Sequence, residues 1–124
     1  MAIKRMNVHN IPIPDNLKTL LTQPEFKILF GENTLSEVPV VGVWNNITVS
    51  GQIDKLVVLD KEVWIIDYKT NRFVPKTLLE VPTLYKNQLN AYRGLIKSIF
   101  SDKIIRTFLL WTENLNLMEI PDEM

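Results

Sequence analysis

The first thirty residues show no single hydrophobic period. Residues 1–15 carry two prolines without a repeating apolar spacing, and we expect them to form an arm. Leucines recur through residues 17–21, a spacing that indicates a short helix. Pro24 is then expected to open a second helical segment that ends at Gly31. This part of the chain is predicted to be helical and peripheral.

From Ser36 onward the apolar positions follow an extended period. The pattern predicts three strands in succession, with turn residues between them. Pro39 is tolerable only at a sheet edge or at the start of its strand, and Gly51 interrupts the second strand. The strands are expected over residues 37–44, 47–59 and 62–68, with turns at Asn45-Asn46 and Asp60-Lys61. An antiparallel meander follows.

The second half of the chain returns to a helical period before two further strands. A helix is predicted from Pro82 to Phe100, after a loop over residues 71–81. Its expected buried stripe consists of Leu84, Leu89, Tyr92, Leu95, Ile96 and Ile99. Strands are predicted over residues 103–112 and 115–120. The order of elements indicates one α/β domain over residues 1–124, with a mixed sheet and a helix packed against it.

Composition excludes several kinds of chemistry. The chain has no cysteine, which removes disulfides, thiolate metal sites and iron–sulfur clusters, and it has a single histidine. No apolar run approaches the roughly 20 residues that span a bilayer, and no secretory leader is evident, so a cytoplasmic protein is expected. Basic and acidic residues balance at 14 each. The global charge therefore says nothing about nucleic acid.

The local charge is less even. Between Lys69 and Lys97 there are six basic residues and one acidic residue, Glu80. Such an excess can follow a phosphate backbone, although a solvated surface accounts for it equally well.

Two carboxylates in apolar runs are the main candidates for chemistry. Asp54 and Asp67 each interrupt a strand-like segment, and Lys69 shares a strand face with Asp67 because side chains alternate with period two. Pairing of the two strands would bring Asp54 to the same place. Buried carboxylates need a partner or a metal. A solvated Asp54 and a plain Asp67–Lys69 ion pair are the alternatives.

Phosphodiester hydrolysis needs these groups. Mg²⁺ or Mn²⁺ prefers oxygen ligands, and the two aspartates with the backbone carbonyl of Tyr68 can supply them. Lys69 can orient or deprotonate the attacking water, or stabilise the transition state. On the predicted helix, Tyr85, Gln88 and Tyr92 share one face. That face can contact DNA or support the site, unless Tyr92 is simply a core residue.

The ordered motifs resemble a known family. Gly51-Gln-Ile-Asp54, then Trp64-Ile-Ile-Asp-Tyr-Lys-Thr-Asn71, then Gln88-Leu-Asn-Ala-Tyr92 look like the RecB-type nuclease domain of the PD-(D/E)XK superfamily. The likeness is strongest to the C-terminal nuclease domain of AddA-type helicase–nuclease subunits, and it spans residues 30–120. It implies a restriction-endonuclease-like core and a DNA exonuclease linked to double-strand break repair.

The resemblance also implies roles for individual residues. Asp54 and Asp67 would bind the metal, and Lys69 would be catalytic. Glu37 would lie near the metal or contribute to it. Gln88 and Tyr92 would support the site or the DNA. We expect Tyr85 and the neighbouring cations Arg72 and Lys86 to do the same.

The chain departs from the family pattern in two respects. These domains usually begin with a helix that carries a metal-binding histidine, and His9 lies outside any clear helical setting. No phosphate-binding loop of a helicase motor is present. A second copy of the chain or a separate helicase is therefore an expected partner. The alternative is an inactive remnant that keeps the fold and DNA contact.

Overall fold

The computed structural model describes residue 31 and residues 33–122. The predicted arm, the helical segments before Gly31 and His9 all lie outside this described part. The helices and strands are β1 (Thr34–Trp44), β2 (Ile47–Val58), β3 (Glu62–Lys69), α1 (Thr83–Ile99), β4 (Ile104–Trp111) and β5 (Asn116–Ile120), with a 3₁₀ turn at Leu78–Glu80. Within the described residues, no helix is long and apolar enough to cross a membrane.

The strands form one five-stranded sheet in the order β1-β2-β3-β4-β5. All neighbours pair antiparallel except β3 and β4, which are parallel. A parallel pair needs a long crossover connection, and α1 provides it. The predicted mixed sheet, with an antiparallel meander followed by a helix and two more strands, is confirmed.

The middle of the sheet is buried on both faces. Along β3, Val63 and Ile65 pack in the cluster that faces α1, whereas Trp64 and Ile66 pack in a second cluster on the opposite face. Strands covered on both sides read as continuous apolar runs rather than alternating ones. This accounts for the unbroken apolar stretch before Asp67.

The buried stripe of α1 is narrower than predicted. Leu89, Tyr92 and Ile96 are buried, but Leu84 is 74% exposed and Ile99 is 68% exposed. At 3.6 residues per turn, Leu84 lies about 140° around the helix from Leu89, outside the arc that meets the sheet. Ile99 lies within that arc but is the last residue of the helix. The prediction that these two residues belong to the core is therefore wrong.

Arg93 joins α1 to the β4–β5 edge of the sheet. Its guanidinium donates hydrogen bonds to the carbonyl of Ile105 at 2.8 Å, to Oγ1 of Thr107 at 2.5 Å and to the carbonyl of Ile120 at 2.9 Å. Its Nε lies 3.5 Å from a carboxylate oxygen of Asp122. One side chain therefore joins the helix to β4 and to the end of β5.

We expect Arg93→Met to lower the free energy of unfolding by ~2–4 kcal/mol, because charge-assisted hydrogen bonds to largely buried acceptors are lost. Urea denaturation monitored by circular dichroism measures this change. Lys97→Met is the matched control. Lys97 is an exposed cation one turn later on the same helix, and its ammonium donates one hydrogen bond, to the carbonyl of Lys103. Equal effects of the two substitutions would contradict the assignment.

Candidate active site

The strand register places the two aspartates opposite each other. The β2–β3 ladder ends at the pair Lys55 and Ile66, and the next positions in the same register are Asp54 and Asp67. Asp54 Oδ2 accepts a hydrogen bond of 2.8 Å from the backbone N–H of Tyr68. Both aspartates are buried, at 4% and 6% exposure. The pairing of β2 with β3, which the sequence allowed but did not establish, therefore brings Asp54 to Asp67.

A local irregularity turns Ile53 toward α1, beside Asp54. Ile53 and Leu56 both pack in the cluster that faces the helix, although regular alternation would place them on opposite faces. The β1–β2 ladder keeps one register throughout but skips Glu37 and Asp54. Glu37 has a φ of 55°, in the left-handed region that a non-glycine residue rarely adopts. Asp54 shares the face of Leu56 by alternation, so this break in the ladder leaves two consecutive side chains, Ile53 and Asp54, on the inner face.

Asp67 is held in an unfavourable setting for a charge. Burial raises the pKa of its carboxyl, and the hydrogen bond and charge of Asp54 raise it further. The ammonium of Lys69 opposes both effects, and the resulting pKa is about 6. A carboxyl with such a pKa carries a proton at mildly acidic pH and loses it near neutrality.

Lys69 lies at the centre of the contacts. Its Nζ is 2.6 Å from Asp67 Oδ2, donates to Oε1 of Gln88 at 3.4 Å and lies 4.0 Å from the centre of the Tyr85 ring. The same-face prediction for Asp67 and Lys69 is confirmed. Asp67 Oδ2 is buried and is paired with this ammonium.

Next to Lys69, Gln88 and Tyr92 of α1 and Gly51 of β2 form a second row of contacts. Nε2 of Gln88 donates to the hydroxyl of Tyr92 at 3.3 Å. Tyr92 is also a core residue, so both interpretations of it hold. A Cβ on Gly51 would lie 2.3 Å from the Tyr92 hydroxyl oxygen. The glycine of the Gly51-Gln-Ile-Asp54 motif thus allows this tyrosine to approach β2.

Tyr85 is fixed by Asn71, the last residue of the second motif, for which the sequence predicted no role of its own. Its hydroxyl accepts a hydrogen bond of 2.9 Å from the Asn71 amide, and it is within 3.3 Å of the Asn71 amide oxygen. Its ring also packs at 6.1 Å from that of Trp111. The polar end of Tyr85 is therefore engaged within the protein. Only the position of Asn71, two residues after Lys69, hinted at this role.

Three expected residues lie on the surface beside this network. Glu37 is exposed, and its carboxylate accepts a hydrogen bond of 3.4 Å from Gln52. Arg72 is exposed on the loop after β3, and Lys86 is half-buried near the start of α1. Their assignments to the metal and to DNA stay predictions.

The oxygen atoms at the end of the β2–β3 ladder suit a hard divalent cation. Asp67 Oδ2 is a buried acceptor without a hydrogen bond, and Asp54 lies opposite it. The N–H and C=O of one strand residue lie on the same side, so the Tyr68 carbonyl is on the β2 side with the N–H that Asp54 accepts. The acidic set is a pair, since residues 31 and 33–122 contain no group of three His, Cys, Asp or Glu placed to hold a metal.

Comparison with known proteins adds little. No family model matches the chain, and no curated protein matches it. Five chains of solved structures do match. One is the crystal structure of SSO0001, with 19% sequence identity and a TM-score of 0.49 over 86% of this chain and 50% of that chain. This chain thus spans half the length of SSO0001, and a likeness of this size carries no argument about function.

The raised pKa of Asp67 predicts a pH-dependent stability. The folded state binds the proton more tightly than the unfolded state does, so its stabilising effect is complete below pH 4 and is lost as the pH rises through about 6. We therefore expect Asp67→Asn to gain stability relative to the wild type between pH 4 and pH 8, by up to about 3 kcal/mol. Urea denaturation in EDTA at several pH values measures it. A pH-independent difference between the two proteins would contradict the raised pKa.

Proposed function

We propose that the chain is a RecB-type nuclease domain of the PD-(D/E)XK superfamily that hydrolyses phosphodiester bonds in DNA with Mg²⁺ or Mn²⁺. One observation carries the proposal. Asp54, Asp67 and Lys69 meet with Gln88, a residue of a motif 19 positions further along the chain. Three motifs separated in sequence thus contribute to one cluster, as expected if their order reflects a shared catalytic site.

The proposed metal ligands are the carboxylates of Asp54 and Asp67 with the carbonyl of Tyr68. When bound, a divalent cation neutralises the scissile phosphate and makes water more acidic. Asp67 must be deprotonated to act as a ligand, so metal affinity should fall below pH 6. A restriction-endonuclease-like core and a role in double-strand break repair belong to the same proposal.

Lys69 is the proposed catalytic residue. Its ammonium can hold the attacking water or stabilise the negative charge that grows on the phosphate. Gln88 and the Tyr85 ring fix its position from α1, and Tyr92 fixes Gln88 in turn. Preorganised groups of this kind act without further rearrangement during the reaction.

We expect Asp67→Asn and Asp54→Ala to abolish Mn²⁺ binding in isothermal titration calorimetry, together with Mn²⁺-dependent digestion of linear DNA. Lys69→Met should lose digestion but keep Mn²⁺ binding, because it removes a neighbouring positive charge rather than a ligand. Asp60→Asn is the matched control, since this exposed aspartate lies in the turn at the other end of the β2–β3 hairpin. Equal, negligible Mn²⁺ binding by the wild type and Asp54→Ala would refute the metal site.

Gly51 provides a separate test of the second row. A Cβ at Gly51 meets the Tyr92 hydroxyl at 2.3 Å, whereas one at Gly42 meets the end of the Leu95 side chain at 2.6 Å. Overpacking costs about 1–3 kcal/mol, so both alanine variants should lose some stability. Only Gly51→Ala should also reduce the rate of DNA digestion, by about tenfold or more, because Tyr92 supports Gln88. Equal digestion rates of the two variants, measured well below their melting temperatures, would contradict this chain of contacts.

A second candidate is an inactive remnant that keeps the fold and DNA binding. The ion pair of 2.6 Å between Lys69 Nζ and Asp67 Oδ2 favours it, because the ammonium then lies against an oxygen that a metal would need. Purified protein that binds DNA but digests neither single- nor double-stranded linear DNA with Mg²⁺ or Mn²⁺ would support this alternative. A helicase partner or a second copy is the proposed source of any missing group.

A further inference from the structure

The loop between β3 and the 3₁₀ turn is fastened at several points. Asn71 bonds to Tyr85, and Pro75 is fully buried. Val74 packs against the apolar cluster that faces α1. The carboxylate of Glu80 accepts a hydrogen bond of 2.8 Å from the backbone N–H of Lys76. The loop is therefore held by its own contacts on both sides of residue 73.

Phe73 nevertheless points outward. Its side chain is 66% exposed, although the next two residues are turned into the protein. Burying an aromatic side chain is worth about 1.5–3 kcal/mol, so a ring displayed on an anchored loop gives up a stabilising contact. A ring displayed on an anchored loop is available to stack against a flat partner.

The charged residues nearest to Phe73 along the chain are basic. Arg72 and Lys76 are both exposed, and Glu80, the one acidic residue between Lys69 and Lys97, is engaged with a backbone N–H of the loop. Charge complementarity therefore favours an anionic occupant. An aromatic ring between cations matches a nucleic acid strand, which offers phosphates to the cations and flat bases to the ring.

Phe73 also lies close to the proposed site. Asn71 holds Tyr85, and the Tyr85 ring lies 4.0 Å from Lys69 Nζ. Two residues of chain span at most about 7 Å, which limits the distance of Phe73 from Asn71. A strand with a phosphate at Lys69 can therefore reach the ring with a neighbouring nucleotide.

We propose that Phe73 is a base-stacking residue that takes an unpaired nucleotide beside the scissile phosphate, while Arg72 and Lys76 hold the adjoining phosphates. The inference rests on the proposed nuclease function and deepens it by assigning a substrate contact to this loop. The nucleotide must be unpaired, because the faces of a base inside a duplex are covered by its neighbours. Phe73 therefore distinguishes single-stranded from fully paired DNA.

The test is fluorescence anisotropy with a labelled oligothymidylate and, in parallel, a blunt duplex, both in EDTA so that binding is separated from cleavage. Phe73→Ala and Phe73→Leu should each weaken oligothymidylate binding by about 5- to 100-fold, and should leave duplex binding unchanged. Leu79→Ala is the matched control, because Leu79 is a 93% exposed aliphatic residue of the same connection. It should bind like the wild type.

Salt dependence separates stacking from charge. Arg72→Ala should reduce the slope of log affinity against log salt by about 0.7, as the loss of one phosphate contact on a single strand requires. The Phe73 variants should lower the affinity at an unchanged slope.

The outcomes separate the two proposals. Normal binding by both Phe73 variants, or equal weakening of duplex and oligothymidylate binding, overturns the stacking assignment, even if Mg²⁺-dependent digestion persists. A wild type that binds no oligothymidylate also overturns it. Selective weakening in a protein that digests no DNA upholds the stacking and refutes the nuclease. A changed oligomeric state in gel filtration, with unchanged DNA affinity, overturns the stacking in favour of a protein contact.

Discussion

The opposition of two buried carboxylates is the constraint on which the rest of the site depends. Asp54 and Asp67 occupy adjacent, largely dry positions at the end of the β2–β3 ladder, where two negative charges repel each other. The pKa of Asp67 rises to about 6 in consequence of its burial and its neighbour. The N–H of Tyr68 and the ammonium of Lys69 offset this repulsion. A fold that retains such an arrangement sacrifices stability at neutral pH, which is typical of functional sites.

The parallel β3–β4 pair explains how other groups reach this place. Its crossover, α1, packs across the sheet, so that Gln88 and Tyr85 approach Lys69 from the helix. The approach depends on small residues as well as polar ones. Because Gly51 has no side chain, the Tyr92 hydroxyl can lie where it supports Gln88. Packing and chemistry are therefore coupled through one helix face.

Much of this was predictable from the sequence, and the failures have physical causes. The turn residues Asn45 and Asn46, both with positive φ, correctly marked the first hairpin, because asparagine tolerates that conformation. The positive φ of Glu37 has no such signature, so the break in the β1–β2 ladder that turns Ile53 inward could not be foreseen. Periodicity along α1 could not reveal that Ile99, the last residue of the helix, is left uncovered. The hydrogen bond between Asn71 and Tyr85 joins residues 14 apart, which only the crossover brings together.

The contacts of Lys69 bear on how the proposed site could hold a lysine ammonium and a divalent cation together. Its ion pair with Asp67 uses the oxygen that a metal would need, so the two positive charges compete for one carboxylate. Lys69 does not depend on that carboxylate alone. The Tyr85 ring and the Gln88 amide oxygen remain as partners if Asp67 turns to a metal, and a ring face can hold a partly desolvated ammonium. Asn71 keeps the ring in place meanwhile. Binding of a cation would therefore loosen one contact of Lys69 and leave its position defined by the other two.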